Sequence, residues 1–319
     1  MKRTVLFVII SLIQWAWVSF SFAQDDLMND LVATDSGKNE KITGTFKGNR
    51  VVNAHTCETV KKKTLDFRIS HRFGNIVPQK DGTGGGHQFY GFDNASDIRF
   101  SFDYGITDRL QLGIGRSKQY ENLDGTVKFK IAAQTENNSM PFTIVWYSNA
   151  AFTPMEKSLL YANADSAWVA SKKNISHRIS YNHQLILARK FGTRFSFEIL
   201  PTINYRNLVQ GYVNPSNNAA EDNLLFAVGF AGRIKVTKRF SLVGDYFYSF
   251  SKFREKNTLM PYYSPLGLGF ELETGGHVFT VNFTNSSSII ENAFLPYTSE
   301  SWSKGAFKLG FNISRVFSF

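Results

Sequence analysis

Residues 97–116 read DIRFSFDYGITDRLQLGIGR. Ile98, Phe100, Phe102 and Tyr104 alternate with Asp97, Arg99, Ser101 and Asp103. After a short polar turn, Leu110, Leu112 and Ile114 alternate with Arg109, Gln111, Gly113 and Gly115. A period of two puts each set on its own face of a β-strand. A soluble sheet buries the apolar face and wets the other. Here the same unit recurs to Phe319, behind an export-type leader. Together these predict an all-β fold, a transmembrane antiparallel up-and-down β-barrel, with its apolar face to lipid and its polar face to the lumen.

Composition agrees. The 319 residues include 30 Phe and 13 Tyr, an aromatic load that suits strands and membrane girdles. Mean hydropathy is only −0.21, as a barrel requires when every lipid-facing residue is diluted by a lumen-facing one. Residues 1–23 read as a secretory signal: Lys2 and Arg3, an apolar run over 5–18, then Ser21, Phe22 and Ala23. After Ala23 no run approaches the ~20 apolar residues of a spanning helix. The formal charge of +10 is spread over strands and turns rather than clustered, so nucleic acid is not an expected partner. Cys57 is the only cysteine, which excludes an intrachain disulfide and a thiolate metal cluster. No cofactor and no metal is expected.

Residues 24–63 are polar, with DD, NEK and KKK clusters. They read as a periplasmic N-terminal arm, too short for an independent plug domain. Residues 46–52 either pack in or near the barrel mouth or serve as plain linker. The barrel itself is expected over 64–319.

Twelve strands are predicted, near 64–73, two within 97–116, then 125–134, 140–152, 175–190, 194–206, 223–236, 239–252, 262–273, 277–285 and 304–319. Connections alternate long and short in chain order. Short periplasmic turns, long outer loops and an even strand number are the pattern of an outer-membrane barrel with both termini periplasmic. The last strand ends on Phe319, with Arg315 on the lipid-facing parity.

Four stretches carry a family resemblance: 50–56 (RVVNAHT), 71–74 (HRFG), 91–93 (GFD) and 104–110 (YGITDRL). On them the chain resembles an outer-membrane β-barrel family of Gram-negative bacteria catalogued only as a domain of unknown function. The resemblance implies the fold and the address. It implies no activity and no catalytic residue.

Alternation sends Asp97, Arg99, Asp103, Arg109, Lys128, Lys130, Arg178, Glu198, Arg206, Arg233, Lys235, Asp245, Glu271 and Glu273 inward as pore-lining residues. Such charges must pair or stay wet. The expected function is a narrow channel or facilitator for small polar or anionic solutes. A filled, non-conducting barrel that acts through its outer loops is the alternative; Tyr161, Trp168, Phe294, Tyr297 and Trp302 mark those loops. A lipid hydrolase needs Ser and His on one lipid-side face. Ser180 and His183 have opposite parity, so no enzyme is expected. The GTGGGH run at 82–87 lacks the Lys-Ser/Thr of a phosphate loop. His71 with His87 lacks ligand spacing; His55 and Cys57 could chelate jointly, but read as a plain exposed pair in the arm. Expected partners are outer-membrane lipids, a small polar or anionic solute, and a periplasmic partner of the arm.

Overall fold

The computed structural model describes residues 40–160, 169, 171, 174–274 and 276–319. The signal, residues 24–39 of the arm, Tyr161 and Trp168 lie outside them. Residues 41–319 form one compact unit. Its strands are β1 (Thr64–Asn75), β2 (Ala95–Gly105), β3 (Leu110–Ser117), β4 (Leu123–Ala132), β5 (Thr143–Phe152), β6 (Ile179–Phe191), β7 (Phe195–Arg206), β8 (Leu224–Lys235), β9 (Phe240–Phe250), β10 (Leu266–Thr274), β11 (His277–Thr284) and β12 (Lys308–Ser318). Each pairs antiparallel with its sequence neighbours. β1 also pairs with β12, from Thr64 opposite Ser318 to Asn75 opposite Lys308, and closes the barrel. Closure removes the sheet edges, which a membrane does not tolerate.

Where boundaries differ from the alternation, local chemistry explains it. β6 starts at Ile179 because Ile175–Arg178 forms a 3-10 turn capped by Asn174, whose side chain accepts from Ser176 N. β10 waits until Leu266 because Pro265 has no N–H for the ladder. A second 3-10 turn, Trp302–Lys304, ends at Gly305 with φ 73° and delays β12. Loop length follows parity with one exception: the 133–142 connection at the short-turn end exceeds the 118–122 connection at the other.

The two faces of the wall are unlike. Phe100, Phe102, Leu112, Ile114, Phe129, Trp146, Phe226, Tyr248, Leu268 and Phe270 project outward, exposed. A continuous belt of that kind is stable only against lipid. Arg315 is exposed near the short-turn end with its guanidinium 5.0 Å from the Phe317 ring. It keeps its stem on the apolar rim and its head free for the interface.

The inner face is not uniformly polar. β1–β4 and β10–β12 turn Asp66, Arg68, Arg72, Asp103, Asp124, Lys128, Glu271 and Asn282 inward, all buried. β5–β9 turn in Val145, Tyr147, Ile186, Ala188, Leu200, Leu225, Ala231, Val243 and Phe247, also buried. Buried Asn182, Gln184, Glu198 and Asp245 share those strands, but an apolar patch of this size favours a cover over water. It is covered by Phe46, Val51, Val52, Ala54 and Cys57 from one end and by Phe294 and Leu295 from the other; together they make one core.

Candidate functional site

Of the arm, residues 41–63 fold into the lumen, in line with the barrel-mouth alternative for 46–52 and not with a plain linker. The segment enters at the short-turn end, where Lys41 bridges Thr135 and Ile42 N donates to Gln134 O at 2.7 Å. It leaves at the same end, where Lys62 bridges Gly105. Between them it makes a hairpin: Arg50 bridges His55, Val51 N donates to Ala54 O at 3.0 Å, and Thr56 N donates to Asn49 O at 2.9 Å. The tip, RVVNAHT, is one of the four stretches that carry the family resemblance. His55 and Cys57 are therefore buried rather than exposed, because the apolar half-wall draws the hairpin inside.

Side chains of the wall hold this hairpin by its main chain. Asp245 on β9 accepts from Val52 N at 3.0 Å, Asn53 N at 2.6 Å and Ala54 N at 3.0 Å. Asn53 Nδ2 reaches the other carboxylate oxygen at 2.7 Å. Hydrogen bonds to a charged group contribute about 1.5–3 kcal/mol each, so this one carboxylate anchors the tip. Lys128 Nζ donates to Thr56 O at 3.1 Å and Glu58 O at 3.0 Å. Glu198 accepts from Cys57 N at 3.2 Å. Arg72 donates to Val52 O at 3.1 Å, Asn53 Oδ1 at 3.0 Å and Asn282 Oδ1 at 2.8 Å. At Gly267 on β10 the hairpin comes so close that a Cβ would stand 2.6 Å from Val52.

The connection from β11 to β12 folds inward from the opposite end and meets the tip. Its short helix, Glu291–Tyr297, puts Glu291 against Arg50, with Nη2 3.1 Å from both carboxylate oxygens. Arg50 Nη1 also donates to Ile289 O at 2.7 Å. Both side chains are buried, where loss of either partner strands the other's charge. Phe294, expected as an exposed loop aromatic, packs instead on Phe247 with centroids 5.1 Å apart.

The inward set divides by position. Asp245, Lys128 and Glu198 hold the hairpin. Asp97 accepts from Ile289 N at 3.0 Å and Gln119 N at 2.9 Å, fixing the long-loop side. Arg99 pairs with Asp124. Asp103 accepts from Gln111 Nε2 at 3.0 Å, and Gln111 accepts from Val60 N at 2.9 Å. Arg233 pairs with Glu271 at 2.7 Å and Glu273 at 3.2 Å, and Glu273 also meets Lys47 at 2.8 Å. Lys130 is 4.0 Å from Glu58. Lys235 is half-buried at the short-turn end of β8. Arg206 pairs with Glu221 at 2.7 Å and, with Arg178, lines a cavity at the long-loop end. Arg178 belongs to the 3-10 turn before β6, not to the strand wall. Arg109 is exposed in the turn after β2, beyond the reach of alternation. Arg50, Asn53 and Arg72 stand in the resemblance stretches but not in the inward set, and Asp124 and Glu291 in neither. Parity alone would have found Arg72 and Asp124; Arg50 and Glu291 sit in irregular segments with no period.

On the outer face His183 Nδ1 lies 2.9 Å from Ser148 Oγ, its cross-strand neighbour on β5. Ser180 points elsewhere and accepts from Asn292 Nδ2 at 3.1 Å. Among the described residues no third group is hydrogen-bonded to His183, so its ring lacks the orienting partner of a triad. Two polar groups that face lipid satisfy each other.

A search of curated protein sequences finds no match. Among solved structures, the NanC porin is 8% identical over 80% of this chain and 99% of that one, with a TM-score of 0.45. Omp33 of Acinetobacter baumannii is 7% identical over 80% and 99%, at 0.40. LpxR of Salmonella typhimurium is 8% identical over 80% and 100%, at 0.35. At such scores no function transfers. A family model described as a membrane bound beta barrel domain (DUF5777) matches residues 46–317. The match starts within the lumen hairpin, and so treats hairpin and barrel as one domain. The chain belongs to this family of membrane-bound β-barrels.

Proposed function

We propose that the protein is an outer-membrane conduit for small polar or anionic solutes, closed at rest by its own N-terminal hairpin. The observation that carries this reading is how the hairpin is held. Strand-borne side chains grip its main chain, while the twelve-strand ladder closes without it. It can leave without breaking a strand pairing, and exposes Lys128, Glu198 and Asp245 beside the apolar residues of β5–β9. On this reading the short turns face the periplasm, and the mouth by which the hairpin enters is open to a periplasmic partner. A solute enters from the long-loop side.

Liposome swelling tests this reading. Full-length barrel should admit small sugars and organic anions slowly. A chain lacking residues 45–58 should admit them readily, and Lys128→Glu with Lys130→Glu in that background should slow the anions selectively. Equal swelling with and without the hairpin contradicts the gate.

A further inference from the structure

A cavity of about 300 Å3 lies at the long-loop end, among the connections rather than in the strand wall. Its size is at the lower end for small-molecule sites. Its charge is uneven. Arg178 and Arg206 line it, and Glu221 is the only carboxylate among the described lining residues. Arg206 is matched to Glu221 at 2.7 Å. Arg178 Nη1 donates only to the carbonyls of Thr153 and Met155, at 3.0 and 2.5 Å. Behind Tyr262, another lining residue, Arg254 sits 4.9 Å from the ring, and its Nε and Nη1 are buried without partners. Burial, with Arg206 nearby, brings its guanidinium down to about 10. Two guanidinium groups and one carboxylate thus line the cavity, and a third guanidinium lies against its Tyr262.

The polar atoms are incomplete as well. His177 Nδ1, Gln210 Oε1 and Asn292 Oδ1 belong to lining residues and are buried with no hydrogen-bond partner. An unsatisfied buried polar atom costs about 1–3 kcal/mol, and the amide oxygens call for O–H or N–H donors. Tyr120 and Tyr297 add two rings 5.2 Å apart and tilted by 52°, with the Arg206 guanidinium 5.5 Å from the Tyr297 centroid, an apolar surface with polar edges. Charge, orphan acceptors and ring faces converge on one ligand chemistry.

We propose that this cavity binds a small hydroxylated carboxylate of the sugar-acid class, with the carboxylate at Arg178, hydroxyls at Gln210 and Asn292, and its C–H surface against the edges of Tyr120 and Tyr297. Arg suits a carboxylate through its planar paired donors. Tyr297 and Asn292 ride on the same short helix as Glu291, so the cavity shares a wall with the contact that seats the hairpin. Its role as the entry site of the conduit rests on the reading above; its binding does not.

Calorimetry on the full chain refolded in detergent tests it, with D-glucuronate as probe and D-glucose and acetate as controls. Glucuronate should bind at least tenfold more tightly than either control. Arg178→Gln should weaken it at least tenfold and Gln210→Leu severalfold, each with unchanged β content. No glucuronate binding by the folded barrel, equal affinity for glucose, or unchanged affinity in whichever variant folds would overturn the site. Binding by a barrel that never conducts, even without its hairpin, would overturn the conduit alone; conduction without binding would overturn the site alone.

Discussion

Asn53 holds Asp245 twice: its main-chain nitrogen donates to one carboxylate oxygen at 2.6 Å and its side-chain nitrogen to the other at 2.7 Å. Val52 and Ala54 donate to the same carboxylate at 3.0 Å each. Three consecutive main-chain N–H groups converging on one anion fix a backbone rather than a side chain. The hairpin is therefore seated in the lumen by a lock that any three residues with free N–H groups could fit, but only at the position of Asp245.

Removing that anion should loosen the hairpin. Asp245→Ala leaves three buried N–H groups without a partner, a penalty of several kcal/mol at about 1–3 kcal/mol each. Cys57, the only cysteine and buried, reports the change. A bulky maleimide should label it slowly in the native barrel and at least tenfold faster in Asp245→Ala. Equal labelling would show that Asp245 does not seat the hairpin.

The Arg50–Glu291 pair should behave as a buried ion pair. Glu291→Ala or Arg50→Ala alone should destabilise by about 3–5 kcal/mol, because an uncompensated charge stays behind. Arg50→Met with Glu291→Leu should recover much of that loss. Heat-modifiable gel mobility of the refolded barrel measures it. A double variant as unstable as the two single changes combined would contradict this account.

Gly267 tests close approach without touching charge. Gly267→Val puts methyl groups where Val52 now lies, since even a Cβ would stand 2.6 Å from Val52 Cγ1. Overpacking of that kind costs about 1–3 kcal/mol. Cys57 labelling should accelerate while the β signal in circular dichroism is retained. Unchanged labelling would mean that the hairpin tip stands elsewhere.

The Ser148–His183 pair should be inert. Without an orienting partner for the imidazole, detergent-activated ester hydrolysis by the wild type should not exceed background, and His183→Ala should not alter it. Turnover that disappears in His183→Ala would establish an enzyme.

Alternation made the barrel legible because every strand obeys it: the apolar parity at Phe100, Phe102, Leu112 and Ile114 is the lipid face. The filled lumen was legible in part. At inward parity, Val145, Tyr147, Ile186, Leu200, Leu225, Val243 and Phe247 are apolar, a pattern that calls for a cover inside the resting lumen. Reading only the charged inward residues hid that half-wall. The hairpin was harder, because residues 45–58 carry no period. Their contacts are main chain to distant carboxylates, and a main-chain N–H leaves no mark on sequence. Glu291 is likewise set by a non-periodic loop that reaches Arg50 across the length of the chain.

The central claim is that the hairpin closes a barrel that otherwise conducts. Single-channel recording in a planar bilayer under a salt gradient tests it most directly, on the full chain and on a chain lacking residues 45–58. The account predicts a silent or rarely opening full-length barrel and discrete, charge-selective steps once the hairpin is gone. Steps of equal size and frequency from both chains, or silence from both folded barrels, would contradict it.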